Sequence, residues 1–106
     1  MSSDNYIKVA ELSDLQEDQG LFVQLDEKPI ALFKVGEDEV CAIGNICPHQ
    51  GGPLSEGFYD KDECMVTCPL HAWDFDVRTG KHVGGTESVP SYQVRLVDNT
   101  IEVKDE

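Results

Sequence analysis

The chain reads NICPHQGGPL over Asn45–Leu54 and CPLHAWDFD over Cys68–Asp76. These two stretches determine the fold, because it must bring their metal-binding residue types together. In each stretch a proline follows a cysteine, and a histidine comes shortly afterwards. The four candidate metal ligands are Cys47, His49, Cys68 and His71. Two thiolates and two imidazoles are the ligands of an iron–sulfur cluster with mixed ligation, and the same four groups can also hold tetrahedral zinc.

The spacing within the pairs favours the cluster over zinc. Zinc sites usually separate paired ligands by two to four residues, whereas only Pro48 separates Cys47 from His49. A [2Fe–2S] centre with two cysteines on one iron and two histidines on the other needs this set of ligands. The proline after each cysteine fixes a backbone angle and so stiffens both loops. We therefore predict one [2Fe–2S] cluster per chain, with zinc, or no metal, as the alternatives.

Length and charge limit the possible classes of function. With 106 residues, 40% of them apolar, the chain can form one folded domain over residues 1–106. The net charge of −13 disfavours nucleic acid and anionic membranes; it either favours a basic protein partner or only maintains solubility. No apolar run could span a membrane, and Met1–Asn5 shows no secretory signal, so we expect a soluble cytoplasmic protein.

Short apolar runs separated by turns predict a small antiparallel β domain that carries its chemistry on loops. At most one short helical turn is expected, within Ala10–Leu15. The predicted strands are Leu21–Leu25, Ile30–Val35, Val40–Ile43, Met65–Thr67, Phe75–Val77, Tyr92–Val97 and Thr100–Val103. The two ligand loops would belong to a subdomain over about residues 44–85.

At the ligand stretches the chain resembles the Rieske-type [2Fe–2S] proteins. Beyond Asn45–Leu54 and Cys68–Asp76, the similarity includes Gly57 and the pair Thr79-Gly80. The resemblance implies an all-β sandwich or barrel in which two loops hold the cluster. It also implies that Cys47 and Cys68 bind the inner iron, while the outer iron near the surface is bound by His49 and His71.

Four positions differ from the Rieske proteins of the cytochrome bc type. Those proteins carry a disulfide between the ligand loops, but Gly52 and Leu70 stand at the corresponding positions here. They also have a serine and a tyrosine that donate hydrogen bonds to the cluster and its cysteine ligand, where this chain has Trp73 and Phe75. Fewer hydrogen bonds to sulfur lower the reduction potential, so the resemblance points to the soluble, low-potential, ferredoxin-like branch.

A cluster by itself transfers single electrons, and the sequence shows neither a nucleophile–base pair nor a nucleotide-binding motif. The resemblance implies a ferredoxin, and we expect it to be a monomer. It would carry electrons from a flavin-containing NAD(P)H reductase to a terminal oxygenase such as a ring-hydroxylating dioxygenase. The first alternative is the small subunit of NAD(P)H nitrite reductase, an electron-transfer component of a permanent enzyme complex. The second is an iron–sulfur redox sensor. Some nitrite reductase small subunits lack the ligands, and their presence here favours the ferredoxin.

Several other residues receive simpler interpretations. We expect Cys41 to be a small buried hydrophobic residue and Cys64 to be structural rather than a reserve ligand or a redox thiol. His82 is interpreted as a solvated surface residue, and Trp73 as packing beside the cluster. An apolar docking rim around the histidine ligands is expected to consist of Pro53, Leu54 and Leu70.

Overall fold

The computed structural model describes residues 6–25, 27–36, 39–46, 53–69 and 73–104. Within these ranges the helices are two short 3-10 turns, and neither could cross a membrane. The turns are Leu12–Asp14 and Leu54–Glu56. The strands are β1 Tyr6–Glu11, β2 Leu21–Leu25, β3 Lys28–Lys34, β4 Val40–Gly44, β5 Phe58–Asp60, β6 Met65–Thr67, β7 Asp74–Asp76, β8 Ser91–Tyr92, β9 Val94–Val97 and β10 Thr100–Lys104. Neighbouring strands pair antiparallel, so the predicted all-β class is confirmed.

The structure adds two strands that the sequence patterns did not predict. One is β1, which pairs with β10 at the other end of the chain; the other is β5, which lies in a segment rich in turn residues. The predicted run Tyr92–Val97 is divided at Gln93 into β8 and β9, which join different sheets. The expected helical turn is present as Leu12–Asp14.

Strand β3 contributes side chains to two separate hydrophobic cores. It lies between β2 and β4 in a four-stranded sheet that ends with β8. Four consecutive residues, Ile30–Phe33, are fully buried. Since side chains alternate along a strand, Ile30 and Leu32 face a core shared with β1 and β10, whereas Ala31 and Phe33 face the opposite side.

That opposite side is the ligand-side core, which joins the central sheet to the three-stranded sheet β5-β6-β7. The ring of Tyr59 lies 4.9 Å from the ring of Phe33, and its hydroxyl donates a hydrogen bond of 2.7 Å to the carbonyl of Lys34. Burial of each large apolar side chain stabilises the fold by about 1.5–3 kcal/mol. The ligand-side core consists of Ala31, Phe33, Ile43, Leu54, Tyr59, Val66, Cys68, Phe75, Val77 and Val89.

Candidate metal centre

The second ligand loop connects β6 to β7. Its first residue, Cys68, follows Thr67 directly and is 1% exposed. The Cys68 N–H donates a hydrogen bond of 2.8 Å to the carbonyl of Trp73, and the hydroxyl of Thr67 donates to the carboxylate of Asp74. These bonds close the base of the loop, and they fix the backbone on both sides of the segment that contains His71.

The first ligand loop is closed in a similar way just after β4. The buried Asn45 accepts two hydrogen bonds of 2.7 Å, one from Leu54 N–H to its carbonyl and one from Ser55 N–H to its side-chain oxygen. Ile46 and Pro53 then form an isolated bridge across the loop. Asn45 is therefore a loop-anchoring residue, a role that its place in the motif did not reveal.

The bases of the two loops touch each other. A Cβ atom added to Gly57 would lie 2.2 Å from the carbonyl oxygen of Thr67 and 3.2 Å from that of Leu54. Leu54 and Cys68 also share the ligand-side core. The bases of the two loops are therefore adjacent, which is required if both loops bind the same cluster. Of the candidate ligands, Cys68 is described, whereas Cys47, His49 and His71 lie outside the described residues, as do Gly52 and Leu70.

His82 does not have the solvated environment that was expected, and that prediction is wrong. Its side chain is only 14% exposed and stacks on the Trp73 ring, with centroids 4.2 Å apart and an interplanar angle of 10°. Its Nδ1 atom lies 3.3 Å from Oε1 of Glu87, and this hydrogen bond helps to lower the pKa of the Glu87 carboxyl, after the larger effect of a backbone N–H. No local pattern could have indicated this contact, because nine positions separate the two rings in sequence.

The expected docking rim also needs correction. Leu54 is fully buried in the ligand-side core, so it cannot present an apolar surface to a partner. The two residues that bridge the base of the loop are more exposed: Ile46 is 46% exposed, and Pro53 is half-buried. The 3-10 turn that begins at Leu54 accounts for the difference, since it turns this side chain inward.

The two remaining cysteines pack against the ligand-side core, in keeping with a structural role. Cys41 is half-buried on β4, and burial raises the pKa of its thiol to about 11. Cys64 precedes β6 in the turn from β5, with a positive φ of 55°. Its thiol donates a hydrogen bond of 3.7 Å to the carbonyl of Lys61 within the same turn, in keeping with a structural role.

Comparison with known proteins settles the family. The Rieske [2Fe-2S] domain matches residues 5–96, and the chain belongs to this family. Its cofactor is therefore a Rieske-type [2Fe–2S] cluster, and the zinc alternative is set aside. The buried thiol of Cys68 and the adjacent loop bases fit such a group.

Within the family, the chain is similar to ferredoxin components of dioxygenases. It is 42% identical over 94 residues to the anthranilate 1,2-dioxygenase ferredoxin subunit of Burkholderia cepacia, covering 87% of this chain and 84% of that protein. The structure matches the ferredoxin of carbazole 1,9a-dioxygenase from Nocardioides aromaticivorans IC177 with a TM-score of 0.88 and 28% identity, covering 95% and 98% of the two chains. It also matches a putative NADH-dependent nitrite reductase small subunit from Mycobacterium tuberculosis, with a TM-score of 0.86, 26% identity, and 97% and 96% covered.

Proposed function

We propose that the chain is a Rieske ferredoxin that carries single electrons from a flavin-containing NAD(P)H reductase to the terminal oxygenase of a ring-hydroxylating dioxygenase system. The observation that carries this proposal is the 42% identity to a dioxygenase ferredoxin subunit over most of both chains. The cluster supplies reversible one-electron transfer when bound. The protein is expected to act as a monomer, which size-exclusion chromatography with light scattering would test.

The proposed ligands are Cys47 and Cys68 for one iron and His49 and His71 for the other. Cys68 has the burial suited to the inner iron, since its thiol lies inside the ligand-side core. The other three residues occur in loops whose bases are held by backbone hydrogen bonds. Replacement of either histidine by cysteine would test the assignment, because the change should convert the Rieske electron paramagnetic resonance spectrum to that of a cluster with three cysteines and one histidine, or abolish it.

The partner is expected to dock at the end of the molecule where the loops emerge. Ile46, at the base of the first loop, and Val83, whose N–H donates 2.8 Å to the carbonyl of Asp74 beside the second, are both exposed apolar residues. The net charge of −13 would steer a basic partner surface toward this protein at low ionic strength.

A matched pair of variants tests this docking end. Ile46→Lys places a positive charge beside the first loop, whereas Val97→Lys places the same charge on β9, at a residue of similar exposure, 43% against 46%. With the reductase and oxygenase of a dioxygenase system, Ile46→Lys should slow electron transfer about tenfold, equivalent to about 1.4 kcal/mol of docking free energy. The visible spectrum of each variant checks that the cluster is intact. Equal rates for the two variants would show that the partners dock elsewhere.

The alternative of a nitrite reductase small subunit rests on one specific observation, the TM-score of 0.86 to such a protein. That likeness does not separate the two functions, because the dioxygenase ferredoxin matches equally well. A pull-down from the native organism would separate them. Stable recovery of a siroheme-containing reductase would favour the subunit, whereas turnover of an aromatic substrate with a reductase and an oxygenase would favour the ferredoxin.

A further inference from the structure

The segment that follows β7 returns along this strand and covers Trp73. The N–H of Asp76 donates 2.9 Å to the carbonyl of Lys81, and Phe75 forms a bridge with His82. The chain then turns back, so that the His82 N–H donates 2.9 Å to the carbonyl of Glu87. These backbone contacts fix the position from which the His82 side chain extends.

The imidazole of His82 is enclosed by described residues on several sides. The Trp73 ring lies parallel to it at 4.2 Å, and the Phe75 ring is tilted at 5.4 Å. Glu87 Oε1 lies 3.3 Å from Nδ1. The backbone of Gly85 is so close that an added Cβ would lie 2.3 Å from Nδ1. A ring held by these four neighbours cannot move without moving at least one of them.

Trp73 connects this assembly to the ligand loop. Its carbonyl accepts the hydrogen bond from the Cys68 N–H, and it lies two positions after His71, the other proposed ligand of that loop. Hydrogen bonding and orientation around cysteine ligands tune the properties of iron–sulfur clusters. Release of the Trp73 ring would therefore loosen the contact that orients the backbone of Cys68.

We propose that His82 is a positioning residue for the cluster, because its stack on Trp73 holds the base of the second ligand loop, where the Trp73 carbonyl accepts the hydrogen bond from Cys68. The proposal rests on the ligation by Cys68 and His71 given above. It requires an aromatic ring at position 82, since the parallel contact with the indole is the interaction that restrains Trp73.

The test compares holoprotein variants by electron paramagnetic resonance of the reduced cluster and by its midpoint potential. His82→Ala removes the stack and should broaden or shift the spectrum and shift the potential, whereas His82→Phe keeps a ring and should restore both. The matched control is Arg95→Ala, which removes a stack of similar length, 4.3 Å onto the Tyr6 ring, in the sheet formed by β1, β10 and β9. Its cluster signals should equal those of the unmodified protein.

A second perturbation covers the case in which His82→Ala does not fold. Gly85→Ala keeps the histidine at position 82, but its new Cβ displaces Nδ1 and with it the imidazole ring. This variant should therefore shift the cluster signals in the same direction as His82→Ala. Unchanged spectra and potentials in the folded variants, with only a lower melting temperature, would overturn the proposal. His82→Phe matching His82→Ala would also overturn it. Failure of the proposed ligation is distinguishable, because it would appear in the unmodified protein as a spectrum that is not of the Rieske type.

Discussion

Gly57 provides a direct test of how the fold aligns the two ligand loops. It lies between the turn Leu54–Glu56 and β5, and its added Cβ would lie 2.2 Å from the carbonyl oxygen of Thr67. Cβ atoms do not occur within 3.0 Å of a backbone oxygen, so Gly57→Ala must separate these two backbones by at least about 0.8 Å. The displaced carbonyl belongs to the residue immediately before Cys68.

The expected destabilisation follows from two opposing effects. Overpacking of this kind costs about 1–3 kcal/mol. Alanine also restricts the unfolded chain and thereby returns about 0.4–1 kcal/mol. The central values of the two ranges give a net loss of about 1.3 kcal/mol, and each kcal/mol lowers the melting temperature of a domain of this size by about 4–8 °C. The cluster should also be lost faster in denaturant, because the strained backbone leads directly into a ligand.

Gly36→Ala is the matched control for this experiment. Among the described residues, the nearest atom to its added Cβ is Glu39 Cβ at 3.8 Å, an ordinary contact. Circular dichroism would follow unfolding, and the decay of visible absorption in fixed denaturant would follow cluster loss. Gly36→Ala should be neutral or slightly stabilised in both assays. If Gly57→Ala melts with the control and bleaches at the same rate, the close approach of the loop bases does not constrain the site.

Three further predictions concern potential, stability and pH. Because Trp73 and Phe75 supply no hydroxyl, voltammetry should return roughly −150 to 0 mV, and a value near the positive end of the Rieske range would refute this. Tyr59→Phe removes the 2.7 Å hydrogen bond to the Lys34 carbonyl and should cost about 1 kcal/mol in chemical denaturation, and an unchanged free energy of unfolding would contradict this. The raised pKa of Cys41, about 11 against 9.0 for a free thiol, makes alkylation slow at pH 8 and about tenfold faster per pH unit toward 11. The Cys41 thiol of the unfolded chain ionises at the lower pH, so the contribution of this group to stability falls as the pH rises from 9.0 to about 11. Fast, pH-independent labelling would contradict the burial of Cys41.

The strands whose sequence signal is local are the ones that the sequence predicts correctly. The apolar run of β3 and the strand that leads into Cys68 were both predicted, because alternation and turn residues act over a few positions. Strand β1 was missed, since it is recognisable mainly through its pairing with β10, about 90 or more positions away. Short β5 was missed because tertiary pairing outweighs the turn residues around it.

The same division applies to the site. The residue types and spacing of the proposed ligands Cys47, His49, Cys68 and His71 favour a [2Fe–2S] cluster over zinc, and the match of the chain to the Rieske family then identifies the cofactor. Exposure and contact depend on chain segments that meet only after folding. The tertiary structure therefore decided that Leu54 is buried while Ile46 is exposed, and that the bases of the two loops touch. It also placed His82 on Trp73, a contact between side chains on separate segments that no local pattern encodes.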